Sequence, residues 1–260
     1  MRRMIIIGNW KMYKCKDDSM DFIFKINEKV PNRKQVETII FPPMILLDAL
    51  TKIEGANLRI GAQNIFYKDE GSYTGETSPK SVADLGIRYA LVGHSDRRIL
   101  FGETDEIANL KISAALVHKI YPIVCLGETL EIKNKNQTEF FLNNQLGRIL
   151  KNIQSIDLEN IIFAYEPMWA IGTGQNLEPE VANQIIGFIR KKVSMLFSEE
   201  LAQKIRIVYG GSVNNSNAES FLIQSEIDGI LIGKNSLQIN DFLFLTRIAS
   251  LKHIQKKYLH

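Results

Sequence analysis

The sequence predicts a closed (β/α)8 barrel, and three observations predict it. Eight short apolar runs, many of them β-branched, recur at intervals of about 30 residues, the length of a strand–helix–strand unit. The runs are apolar at consecutive positions rather than alternating, as strands covered on both faces must be. The stretches between them carry helical spacing, and eight such units in 260 residues match the size of a (β/α)8 barrel with right-handed crossovers. An open doubly wound sheet of eight strands meets the same periodicity and stands as the alternative.

In order, the strand runs are residues 5–8, 38–41, 58–62, 89–93, 123–126, 161–165, 205–209 and 229–232. Helical spacing marks residues 106–118, with Ile107, Leu110, Ala114 and Val117 on one face. It also marks residues 179–197, opened by Pro179 and turning Ile185, Ile186, Ile189, Val193 and Leu196 inward. Residues 137–151 and 241–251 are similar; 81–85 is short and 44–50 has little pattern.

No Pro-, Gly- or Ser-rich linker interrupts the series, so residues 1–260 are predicted to form a single domain. A chain of this length buries enough surface to need no disulfide or metal. The 32 basic and 29 acidic residues are scattered and leave a net charge of only +3, which gives no footprint for nucleic acid. Cys15 and Cys125 form no C-x-x-C motif, which argues against a disulfide framework and for a reducing compartment. The basic-then-apolar start ends at Gly8-Asn9-Trp10-Lys11, too early for a signal peptide, and no other run approaches a membrane span. The expectation is a soluble cytoplasmic protein with no membrane partner.

A barrel collects its chemistry where strands end and loops toward helices begin. Asn9 and Lys11 follow the first run, Gln63 and Asn64 the third, and His94-Ser95-Asp96-Arg97 the fourth. Glu128 follows the fifth, Glu166 the sixth, Gly210-Gly211-Ser212 the seventh and Gly233-Lys234-Asn235-Ser236 the eighth. A carboxylate at the position of Glu166, desolvated by apolar neighbours, makes a stronger base; taken alone, a strand-end Glu more often pairs with a Lys or Arg. Residues 167–174 follow it directly. Pro167 stiffens their start, Trp169 and Ile171 supply apolar surface, and Gly172 and Gly174 permit positive φ. That is the composition of a lid that expels water, although an ordinary loop around a buried Trp has it too. A lone His is more often structural, yet His94 at a strand end opposite a candidate base suits proton transfer or carbonyl polarisation. Glycine turns are common, but two of them after the last two strands can cradle a phosphate. Lys11 adds a positive charge, or is a plain surface lysine.

These residues, with Gly61-Ala62-Gln63-Asn64, residues 71–76, Val92-Gly93-His94-Ser95-Asp96-Arg97-Arg98 and Cys125-Leu126-Gly127-Glu128, make the whole chain resemble the triosephosphate isomerase family. The resemblance implies interconversion of dihydroxyacetone phosphate and D-glyceraldehyde 3-phosphate in glycolysis and gluconeogenesis, without cofactor or metal. It makes Glu166 the proton-transferring base and His94 a neutral imidazole acting on the enediolate oxygens. Lys11 would counter the developing charge and Asn9 orient the carbonyl. The N–H groups of Gly172, Ser212, Gly233 and Lys234 would hold the phosphate, and Ile171 and Leu231 would dry the base. The resemblance also implies a homodimer, with Thr74, Glu76 and Arg97 at the contact.

The chain departs from the family in places. Asp96 replaces the usual Glu and shortens its reach by about 1.5 Å. Lys234-Asn235 replaces the frequent Gly-Ala, which keeps the backbone N–H useful only if φ avoids strongly positive values. Gln175-Asn176-Leu177 and Glu178 replace the common lid hinge and helix cap, which implies altered lid kinetics with activity retained. Two other functions use the same residues: a different phosphorylated substrate in the same cradle, or a barrel without turnover kept for binding. The pairing of Glu166 with His94 beside a Trp-bearing lid favours the isomerase.

Overall fold

The computed structural model describes residues 2–171 and 175–258. Its strands are β1 (Met4–Asn9), β2 (Val36–Phe41), β3 (Leu58–Ile60), β4 (Tyr89–Val92), β5 (Tyr121–Leu126), β6 (Ile162–Tyr165), β7 (Arg206–Tyr209) and β8 (Gly229–Ile232). They run parallel in the order β3-β2-β1-β8-β7-β6-β5-β4. The ring closes where Ala62, just past β3, bridges to Ala90 of β4. There the Ala62 N–H donates to the Tyr89 carbonyl and the Leu91 N–H to the Ala62 carbonyl, both at 2.9 Å. The fold is a (β/α)8 barrel, and the open-sheet alternative is excluded.

Between the strands lie α1 (Lys16–Ile26), α2 (Leu47–Thr51), α3 (Pro79–Asp84), α4 (Ser95–Phe101), α5 (Asp105–Val117) and α6 (Leu130–Asn134). After them come α7 (Thr138–Ile149), α8 (Pro179–Leu196), α9 (Glu199–Lys204), α10 (Ala218–Leu222) and α11 (Ile239–Tyr258). Several begin on a side-chain cap: Ser78, Thr104, Thr129 and Ser198 each accept the backbone N–H three residues on. Glu178 offers α8 no such bond, and Pro179 opens that helix instead.

The strands are apolar throughout because their two faces meet separate cores. Ile5, Ile7, Ile39, Leu91, Ile123 and Val208 belong to a cluster of strand residues alone, inside the ring. Their neighbours Met4, Ile6 and Ile40 pack outward with helix residues such as Phe22, Ile112 and Ile189. Two helix faces differ from the sequence expectation. In α5 the buried face is Ala108, Lys111, Ile112 and Ala115, while Leu110 and Val117 are exposed. The reason is Lys111, which buries its ammonium 2.6 Å from the Glu103 carboxylate and draws its own side of the helix inward. In α8, Ile186, Ile189 and Val193 face inward as expected, Ile185 is only half-buried, Leu196 is exposed, and buried Arg190 takes its place in the inner face.

The strand starts carry their own buried charge. Glu37 of β2 is fully buried and accepts hydrogen bonds from Arg3, Arg206 and the Tyr89 hydroxyl. Burial alone would raise its pKa; the Arg206 guanidinium, the bonds from Tyr89 and Arg206, and the charge of Arg3 outweigh that and hold it below the ordinary value of 4.5. A carboxyl depressed in the folded state stabilises the fold above its unfolded pKa and loses that contribution as pH falls through the folded one. The melting temperature should therefore fall in acid below about pH 4.5, and Glu37→Gln should weaken that dependence. At neutral pH the same substitution should cost about 1–3 kcal/mol, because it takes the counter-charge from the partly buried guanidinium groups of Arg3 and Arg206. Thermal melts of both proteins from pH 7 downward check this, and parallel curves would refute it.

Candidate active site

Of the residues that sequence reasoning placed at strand ends, Asn9, Lys11, His94, Glu166, Gly210, Gly211, Ser212, Gly233, Lys234 and Asn235 line one cavity of about 280 Å³, whereas Gln63, Asn64, Ser95, Asp96, Arg97, Glu128 and Ser236 do not. Ile171 and Leu231 line it together with them. Gly172 lies outside the described residues. Pro167 and Trp169 are not in the lining: Trp169 sits behind the loop, donating from Nε1 to Glu128 Oε1 at 2.9 Å, with Lys133 Nζ 3.4 Å from its ring centroid. Thr74 and Glu76 are exposed, whereas Arg97 is half-buried and bonds Glu103 of its own chain at 2.6 Å.

The two central groups are positioned by the first turn of α4. Glu166 is 2% exposed; its Oε2 accepts the Ser95 N–H at 3.2 Å, and its Oε1 lies 3.3 Å from His94 Nε2 without an aligned hydrogen bond. His94 is the N-cap of α4, and its Nδ1 accepts the Asp96 N–H at 3.1 Å. A ring nitrogen that accepts carries no proton, so this geometry assigns a neutral imidazole with its hydrogen on Nε2, facing the carboxylate. Beneath them, burial and then the charge of Glu166 push the Cys125 thiol well above its usual range, which keeps it neutral.

The turn into α4 needs glycine. Gly93 has φ +69°, and a Cβ there would meet the Arg98 guanidinium at 2.8 Å and the Cys125 carbonyl at 3.2 Å. Arg98 occupies that space, donating to the Gly93 carbonyl at 2.6 Å and to Asp105 at 2.7 Å, while Glu103 accepts the Gly93 N–H at 2.8 Å.

Lys11 takes a left-handed backbone conformation, φ 52°, uncommon for a residue with a side chain. Its N–H donates to Asn9 Oδ1 at 3.0 Å, and Gln63 Nε2 donates to its carbonyl at 2.7 Å, so side chains from two strand ends pin the strained residue. The ammonium then lies 3.0 Å from Asp96 Oδ2, so the shorter carboxylate still reaches it. Lys234 begins a 3-10 turn, Lys234–Ser236, and is not among the residues with positive φ, which meets the condition for its N–H to serve an anion. Asn235 Nδ2 donates to the Val213 carbonyl at 2.6 Å and ties the two glycine turns together.

A family profile described as Triosephosphate isomerase matches residues 4–249. The chain belongs to the triosephosphate isomerase family. It is 52% identical over 249 residues to the protein named triosephosphate isomerase of Onion yellows phytoplasma (strain OY-M), covering 96% of this chain and 91% of that one. The same figures hold for the triosephosphate isomerase of Aster yellows witches'-broom phytoplasma (strain AYWB). Among the described residues no three His, Cys, Asp or Glu side chains gather as metal ligands, and no helix is long and apolar enough to cross a membrane.

Some parts of this candidate site escaped sequence reasoning. Tyr13 lines the cavity, and its only signal was its place in the loop after β1. The Ser95 and Asp96 N–H groups have no side-chain signal at all. Gly210 was read as a phosphate turn, yet a Cβ there would lie 2.7 Å from Glu166 Cγ, so its bare Cα also makes room for the carboxylate. Gly210→Ala should displace Glu166 and lower kcat by about 10²-fold with the fold retained. Circular dichroism and initial rates check this, and unchanged turnover would refute the packing argument.

Proposed function

We propose that this chain catalyses the interconversion of dihydroxyacetone phosphate and D-glyceraldehyde 3-phosphate. The observation that carries the reading is the juxtaposition of buried Glu166 with the Nε2–H edge of a neutral His94, inside a cavity closed by two glycine turns. Glu166 takes a proton from the carbon beside the carbonyl and returns it to the neighbouring carbon, so atoms and charge balance over the cycle. To reach substrate it must leave the Ser95 N–H. A hydrogen next to a carbonyl is only weakly acidic, so the rate depends on stabilising the enediolate. His94 Nε2–H donates to the oxygens as negative charge moves between them, and the Lys11 ammonium lies on the same side of the cavity. Asn9 orients the carbonyl, and the backbone N–H groups of Gly172, Ser212, Gly233 and Lys234 take the phosphate. Ile171 and Leu231 exclude water, which strengthens every charge interaction within and protects the enediolate from losing phosphate. The glycolytic and gluconeogenic role implied by the family goes with a cytoplasmic protein.

We also propose a homodimer. Met12 (94% exposed) stands on the loop after β1, Ile45 (91% exposed) on the 3-10 turn Met44–Leu46 after β2, and Ile99, Leu100 and Phe101 are exposed on α4. These large apolar groups share the loop-bearing end with Thr74 and Glu76, as a covered surface would.

A coupled assay with both triose phosphates and a panel of other sugar phosphates tests the reaction. Turnover is expected only with the triose phosphates, and Glu166→Gln should reduce it by ~10²–10⁴-fold. A variant that keeps near-full turnover would remove Glu166 as the base. Light scattering should give twice the 29.6 kDa of one chain, and Met12→Asp with Ile45→Asp should give monomers; a monomeric parent protein would overturn the dimer.

A further inference from the structure

We infer that the side chain of Lys234, beyond its backbone N–H, is a phosphate-binding cation that offsets the charge already in the cavity; this rests on the reaction proposed above.

The charges around the cavity do not balance without it. Glu166 is a carboxylate within the lining, His94 is neutral by its hydrogen bonding, and the Lys11 ammonium is 3.0 Å from Asp96, which offsets its charge. A phosphate monoester brings about −1.5 to −2 of further charge at neutral pH. Lys234 lines the same cavity from an exposed position, and its ammonium has no ion pair or hydrogen bond among the described residues. It is the charged residue of the two turns, 210–213 and 233–236, that contribute to the lining.

Its base is firmly held. The Trp10 indole N–H donates to the Ser236 carbonyl at 3.0 Å, the Ser236 hydroxyl to the Gly233 carbonyl at 2.6 Å, and Asn235 to Val213. A Cβ on Gly233 would lie 3.7 Å from Lys11 Cε, so the Lys11 stem runs past the residue before Lys234. The two lysines therefore flank one turn, one of them neutralised by a carboxylate and one not. A lysine stem spans roughly 6 Å, enough to fold its ammonium over an anion seated on the turn. This point charge acts at longer range than the N–H groups and draws the dianion in as well as holding it.

The test compares the parent enzyme with Lys234→Gln and Lys234→Arg, both of which keep the backbone N–H. With D-glyceraldehyde 3-phosphate, Lys234→Gln should raise KM and the inhibition constant of inorganic phosphate about three- to tenfold, with a smaller change in kcat. Its kcat/KM should also fall less steeply between about 20 and 200 mM salt, because one attractive charge is gone. Lys234→Arg should restore most of both effects. An unchanged inhibition constant and salt dependence in Lys234→Gln, with the parent enzyme active, would overturn the assignment. So would failure of Lys234→Arg to rescue, which would mean that the side chain serves only to shape the turn. An inactive parent enzyme would instead count against the reaction itself.

Discussion

The site depends on the first turn of α4. A helix leaves its leading N–H groups without partners inside the helix, and here two of them are used in turn. Ser95 N–H holds the Glu166 carboxylate, and Asp96 N–H holds Nδ1 of His94. One structural feature thus sets the resting place of the proposed base and the tautomer of the proposed acid. Both N–H groups belong to one turn, so the place of the carboxylate and the orientation of the ring follow from the same feature. Buried charges outside the cavity hold the turn itself. Glu103 receives Gly93 N–H, Arg97 and Lys111, and Arg98 reaches the Gly93 and Cys125 carbonyls.

Lys11 and Lys234 illustrate two uses of a lysine at a strand end. Lys11 holds an unfavourable backbone conformation that the Asn9 and Gln63 side chains over-determine, and its ammonium is kept beside Asp96. Strain of this sort costs of order 1–3 kcal/mol and persists only where neighbours enforce it. Lys234 sits on relaxed backbone, where the constraint falls on its neighbours Asn235 and Ser236, and its side chain is left to respond to what enters.

The barrel was legible because its strands face two cores, so their apolar runs are continuous and unlike anything an exposed loop contains. All eight runs are strands, within a few residues at each end. Helix faces were read less well. Counting Lys111 and Arg190 as polar turned α5 the wrong way and missed part of the inner face of α8, because a buried ion pair looks like a solvated one in sequence. Short helices such as α4 and α9 have too few turns to show a period. In the site, side chains at strand ends were legible one by one. Their partners were not, since Ser95 and Asp96 act through N–H groups that every residue possesses. The reach of Asp96 was decided by the flexibility of the lysine opposite it, which compensates for a missing methylene.

The proposed base, Glu166, is also the residue before the proposed lid. Its own N–H donates to the Leu126 carbonyl at 2.8 Å, and two residues later Met168 N–H donates to the Glu128 carbonyl at 3.0 Å. Pro167 lies between, with φ already restricted. The backbone on both sides of the carboxylate is therefore tied to the end of β5, and the peptide that carries Glu166 cannot swing with the lid. Glu128 extends this anchor to side chains, accepting the Tyr165 hydroxyl at 3.1 Å and the Trp169 indole at 2.9 Å. In the proposed reaction, departure of the carboxylate from Ser95 would then occur by rotation about side-chain bonds, while closing of the proposed lid would bend the Trp169–Glu128 contact. Rotamer changes are much faster than collective loop motions. The proposed base can consequently respond to substrate on its own, and the slower proposed lid would need only to keep water out once it has.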